Sequence, residues 1–169
     1  MLLTLRGTPV LYYGDELGMP DTDVPRGRLQ DPTEPSRDPA RTPMTWTDAP
    51  GAGFTKPGVE PWLPFGGIDR NVEAQARDAG SVVHLVRDLI ALRKRRADLR
   101  RGAYLSLPAP EGVWLYRRGR GTLVALNFSD RARPLGLAGS VVLGTDRSRE
   151  GSRIGALQPF EGAVLAADS

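Results

Sequence analysis

Groups able to do chemistry crowd the first quarter of the chain. Asp15, Glu16, Asp21, Asp23, Asp31, Glu34 and Asp38 are followed at once by Arg41, with Arg37 among them. Acid–base work at one bond requires two carboxyl groups that converge on it. Asp15 and Glu16 are adjacent at the end of a predicted strand, so their side chains point to opposite faces. The remaining carboxylates show no spacing that enforces pairing, and no catalytic residue is assigned. Asp21-x-Asp23 lacks the run of oxygen ligands that a calcium loop supplies. His84 is the single histidine and there is no cysteine, so neither a metal site nor a disulfide is expected, and no cofactor. Arginine offers different chemistry. A planar guanidinium donates paired hydrogen bonds to vicinal hydroxyls or to a carboxylate, so Arg37 and Arg41 fit either polyol binding or an ion pair that braces a loop. Trp46 and Trp62 either stack on a ring or anchor the proline-rich chain around them.

The bulk composition excludes several classes. With 40% hydrophobic and 25% charged residues, the chain is of ordinary globular make-up. Its net charge of +3 is mild for 169 residues, so no nucleic-acid partner is expected. No apolar run reaches membrane-spanning length, and no membrane contact is expected. The first residues, Met1-Leu2-Leu3-Thr4-Leu5-Arg6, lack the layout of a secretory leader and resemble the interior of a longer chain. Together with the missing cysteine, this points to a cytoplasmic setting.

Four stretches must position these groups. Thr8–Tyr13 is an apolar, aromatic and β-branched run ended by Gly14, which predicts a buried parallel strand over 3–14. Residues 15–80 hold ten of the fifteen prolines and little periodicity, yet keep Trp46, Phe54, Trp62 and Phe65 as large anchors, which predicts an ordered loop. Ser81 caps a helix over 81–97, where Val82, Leu85, Val86, Leu89 and Leu92 share a stripe. From Gly102 the period changes to two. Strands are predicted at 103–107, 112–117, 122–128, 141–143 and 163–166, with Arg118-Gly119-Arg120-Gly121 as a hairpin turn, the pattern of a small antiparallel sandwich.

The motifs Gly7-Thr8-Pro9-Val10-Leu11-Tyr12-Tyr13-Gly14-Asp15-Glu16-Leu17-Gly18-Met19, Ser36-Arg37-Asp38-Pro39-Ala40-Arg41-Thr42-Pro43-Met44-Thr45-Trp46, Pro61-Trp62-Leu63-Pro64, Asn71-Val72-Glu73-Ala74-Gln75 and Leu157-Gln158-Pro159-Phe160-Glu161-Gly162 occur in that order. In this order they resemble the C-terminal part of α-glucosidases, oligo-1,6-glucosidases and trehalose synthases of the α-amylase superfamily. The resemblance implies a mixed fold: residues 1–101 as the last strand, substrate loop and helix of a (β/α)8 barrel, and 102–169 as an antiparallel β-sandwich. It also implies an α-glucoside oligosaccharide ligand, with Arg41 at the rim of the glucose pocket and Arg37 sharing that role. Asp38, Glu16, Tyr13 and Trp46 are then supporting residues, Asp38 being held extended by Pro39. In the family, the catalytic Asp, Glu and second Asp follow earlier barrel strands and have no counterpart here. Retaining glycosidases need two carboxyl groups about 5–5.5 Å apart, so this chain alone is expected to be inactive. The alternative is a non-catalytic carbohydrate-binding or assembly module.

Overall fold

A computed structural model describes residues 1–167. They form two compact units: Met1–Val10 with the chain from Leu85 onward, and Leu11–His84. Compactness thus divides the chain elsewhere than at residue 101, grouping the first ten residues and most of the long helix with the sheet.

The first unit is built on strands β1 (Tyr104–Leu107), β2 (Val113–Arg118), β3 (Thr122–Asn127), β4 (Arg133–Gly144), β5 (Arg153–Leu157) and β6 (Gly162–Ala166). They make one antiparallel sheet in the order β1-β2-β3-β6-β4-β5. Alternation along the strands gives the sheet two apolar faces. Leu115, Leu123, Ala125 and Leu165 lie on one with Leu135, Ile154 and Leu157. Tyr116, Val124, Leu143 and Val164 lie on the other, under Leu92 and Leu99 of the helices. Strand β3 approaches β5 although β6 and β4 intervene. Three strand spacings of a flat sheet would hold them about 14 Å apart, so the sheet curls over its own first face. Two register shifts in β4, between Pro134 and Gly139 and between Val141 and Leu143, produce the bend. The expected sandwich is therefore a single sheet folded upon itself.

Helix α2 (Val82–Arg95) carries the predicted stripe, and the Ser81 hydroxyl accepts the amide of His84 at 3.4 Å. The expected helix over 81–97 is in fact two. Arg96 is extended (φ −92°, ψ 113°), and α3 (Ala97–Arg101) begins beyond it. Asp98 in the first turn of α3 then accepts the amide of Gly121 at 3.0 Å and the hydroxyl of Thr122 at 3.2 Å. The helix α1 (Val72–Arg77), capped by Asn71, and strand β5 were not foreseen.

Residues 3–14 do not form the predicted strand. Leu2–Thr4 and Asp15–Leu17 are single 3-10 turns, Val10 is 78% exposed, and no strand among the described residues pairs with this segment. A parallel strand exists only through its neighbours' hydrogen bonds, and no strand among the described residues supplies them here. Instead, the main chain of residues 3–7 is gripped by arginine. Arg93 Nη1 donates to the carbonyls of Leu3 and Leu5, both at 2.9 Å, and Nη2 to that of Gly7. The fully buried Arg118 donates to the carbonyls of Thr4, Leu99 and Gly102. Its burial pushes the guanidinium below its ordinary pKa, with the neighbouring Arg93 adding to the effect.

The β2–β3 turn is the predicted one, and it requires glycine. Gly119 has φ +59°, and a Cβ there would stand 2.0 Å from Asp98 Oδ1. Gly119→Ala is expected to destabilise the sheet unit by about 1–3 kcal/mol, read as a lower midpoint in thermal unfolding followed by circular dichroism.

Candidate functional site

The second unit has little regular structure, so its shape rests on side chains. Asp31 is the centre. Its carboxylate is closed off from solvent, and Arg37 donates to it through Nε at 2.7 Å and Nη2 at 3.2 Å. Arg41 Nη1 reaches the same carboxylate at 2.6 Å, and the amide and hydroxyl of Thr33 bind it at 2.9 and 2.8 Å. The hydrogen bond from Arg37 is the main reason that the Asp31 carboxyl sits well below the usual carboxylate range. Asp38 is buried beside it. Its Oδ2 accepts the amides of Gln30 and Asp31 at 2.7 and 3.0 Å, and those amides lower its pKa. Its Oδ1 has no hydrogen-bond partner, with Arg41 Nη1 at 3.9 Å. Thus Arg37 and Arg41 lie four residues apart because both face one acid six and ten residues upstream.

Arg41 also lines a cleft of about 540 Å³, together with Tyr13, Trp46, Phe54, Trp62 and Leu63. Each wall is placed by local structure. Trp46 starts a tight turn in which its amide donates to the Ala52 carbonyl at 2.8 Å. Its own carbonyl accepts the amide of Glu73 at 3.0 Å, at the N-terminus of α1, so the helix start fixes the tryptophan. Phe54 packs edge-on against Phe65, ring centres 6.3 Å apart. The Tyr13 hydroxyl donates to the Thr42 carbonyl at 3.2 Å, and its ring lies 4.6 Å from that of Tyr12. Partial burial and Tyr12 both push the Tyr13 phenol upward, so it stays protonated and able to donate.

The six residues that the resemblance implies for the site divide evenly. Tyr13, Arg41 and Trp46 line the cleft; Arg37, Asp38 and Glu16 do not. Arg37 and Asp38 brace the loop. Glu16 supports only its own turn, its Oε2 accepting the Gly14 amide at 3.0 Å, two residues back. Tyr12 and Tyr13, expected on opposite faces of a strand, lie ring to ring because that strand is absent. Asp31 and Arg28 were missed. The Asp31-Pro32-Thr33 sequence does carry a signal, since an Asp that binds an amide two residues on is a turn former.

The arrangement can present a fixed guanidinium edge beside aromatic faces. Asp31 and Asp38, which brace it, are both shifted toward the ionised form. Among the described residues, no group of three or more His, Cys, Asp or Glu is placed to hold a metal ion, and no helix is long and apolar enough to cross a membrane.

The alpha-amylase catalytic-domain family matches residues 1–102, and this chain belongs to that family. Trehalose-6-phosphate hydrolase from Escherichia coli (strain K12) is 36% identical over 160 residues, covering 77% of this chain and 29% of its own length. Oligo-1,6-glucosidase from Parageobacillus thermoglucosidasius is 33% identical over 158 residues, covering 75% of this chain and 28% of its own. Trehalulose synthase from Pseudomonas mesoacidophila MX-45 superposes with a TM-score of 0.80 at 26% identity, over 99% of this chain and 37% of that one. The chain thus spans between 28% and 37% of the length of these relatives.

Asp31 supplies a pH prediction. Its folded pKa is depressed, so its contribution is complete above the unfolded value of about 4 and is lost only as pH falls through the folded value. Asp31→Asn removes that contribution at neutral pH. Faster proteolytic nicking between residues 20 and 60 is expected for the variant at pH 7, with wild type resisting until strongly acid conditions. Equal nicking of the two proteins at pH 7 would refute the role.

Proposed function

We propose that this chain is the C-terminal part of a retaining glycoside hydrolase that acts on α-glucosidic linkages of oligosaccharides. Residues 1–101 contribute the last strand, substrate loop and helix of a (β/α)8 barrel, and 102–169 the β-domain. The extent of the family match, to residue 102, supports that boundary. Segment 3–14 takes up its strand only beside the strands that precede it in such a barrel. The absence of cysteine supports a cytoplasmic setting, and neither a cofactor nor a nucleic-acid partner is part of this reading.

The observation that carries the proposal is the cleft. Asp31 takes one end of the Arg41 guanidinium, and the remaining donors have no protein partner among the described residues. Such an arginine suits the hydroxyl edge of a pyranose, while Trp46 and Trp62 suit its C–H faces. Arg37 belongs to this site as the second clamp on Asp31. Chemistry is a separate matter. Retaining hydrolysis needs a protonated carboxylic acid and a facing carboxylate, and no carboxylic acid lines the cleft among the described residues. The chain alone is therefore a recognition part without turnover. A second reading, a carbohydrate-binding or assembly module, gains support from the sheet unit having two apolar clusters of its own.

Two measurements test the proposal. The purified chain should release no chromophore from a chromogenic α-glucoside beyond the buffer rate. Calorimetric titration with maltose or isomaltose should saturate, and Arg41→Ala should weaken it about ten-fold or more, the worth of a hydrogen bond to a charged group. Flat heats with both sugars would overturn the cleft assignment.

A further inference from the structure

We propose that Arg28 is a positioning residue that sets Trp62 as a fixed wall of the cleft, a role that rests on the reading of the cleft as a glucosyl site. Arg28 is thirty-four residues from Trp62 in sequence, yet the two are bound in both directions. Arg28 Nε donates to the Trp62 carbonyl at 2.8 Å and Nη2 to the Pro61 carbonyl at 2.5 Å, with a further bond from Nη2 to Trp62. Nη1 meets Glu60 Oε1 at 2.6 Å. In return the Trp62 indole N–H donates to the Arg28 carbonyl at 3.1 Å.

Nothing else among the described residues hydrogen-bonds the main chain of Pro61 or Trp62. Pro61 has no amide to give, and Pro64 restricts Leu63 before it. Leu63 is buried, whereas Trp62 is 52% exposed and lines the cleft. A large ring standing half in water keeps one orientation only if its backbone and its polar edge are both fixed. Arg28 fixes both. With its N–H committed to a carbonyl, the indole has only its faces to offer a ligand, which suits the C–H face of a sugar ring. Holding the ring in advance removes an ordering cost at binding, worth about three- to ten-fold in affinity for one side chain.

Nuclear magnetic resonance on the full chain tests this. The indole N–H signal of Trp62, assigned by its loss in Trp62→Phe, is followed in wild type, Arg28→Ala and Arg28→Lys, with the Ala74 amide in α1 as a folding reference. In wild type the Trp62 indole proton should exchange slowly with solvent, and isomaltose or maltose should shift it saturably. In Arg28→Ala the exchange should accelerate and sugar affinity should fall about three- to ten-fold, with Ala74 unmoved. Arg28→Lys, which keeps one charged donor, should recover part of both. Unchanged exchange and affinity in Arg28→Ala would overturn the positioning role while leaving the sugar site standing. Fast exchange in wild type would overturn it whatever the sugar does. Absence of a sugar response in wild type, with slow exchange that Arg28→Ala abolishes, would support the lock and overturn the glucosyl reading. Should Arg28→Ala lose the Ala74 signal, Arg28→Lys decides: intermediate exchange supports the role and wild-type exchange with wild-type affinity overturns it.

Discussion

One carboxylate enclosed between two guanidinium groups determines the shape of the irregular unit. Asp31 binds Arg37 and Arg41 through its side chain, while its own amide is bound by Asp38, the neighbour of Arg37. The turn from Gln30 to Arg41 thereby closes on itself. Each half of the ring is placed by the other. Two acids taken out of water would be costly if either were left without donors. Here one is bound by cations and the other, through Oδ2 alone, by amides, and the byproduct of that arrangement is an arginine aimed at a cleft.

The rest of the irregular chain shows a second device. Proline removes amide donors, so a proline-rich segment carries more carbonyl acceptors than donors. Arginine, with five donors in a fixed fork, is the side chain that restores the balance. Arg28 does so for Pro61 and Trp62, and Arg70 for Gly18 at 3.1 Å. Arg93 and Arg118 repeat it in the sheet unit. A chain with only two lysines among its 23 cationic residues is well supplied for this task. The richness in arginine thus has a structural use.

Much of the architecture was legible before the coordinates. Period-two alternation located β1, β2, β3 and β6 to within a residue or two, and the turn at Gly119 followed from its glycines. Strand β5 (Arg153–Leu157) escaped because its sequence, Arg-Ile-Gly-Ala-Leu, holds only two large apolar residues, and both find their partners on β4. Strand β4 was read as three residues rather than twelve, since Gly136 and Gly139 mark a bulge and not an end. Segment 3–14 failed for the opposite reason. Its residues favour a strand, but pairing is a property of neighbours. Of the residues that the resemblance implies for the site, Arg41, Tyr13 and Trp46 line the cleft. Asp31 and Arg28 escaped because their arginine, glutamate and tryptophan partners lie six to thirty-four positions away, along a chain with no period to relate them.

The hold on residues 3–7 has a different character from the acid-centred turn. Arg93 and Arg118 grip peptide oxygens, which neither titrate nor vary from one amino acid to another. Protonation has no acidic partner there to remove. The grip also ignores side-chain identity, so the exposed Arg6 side chain has no part in it. In this stretch the arginines recognise the backbone, while the buried Leu3 and Thr4 are held by their side chains as well, Thr4 Oγ1 lying 2.5 Å from the Tyr116 hydroxyl.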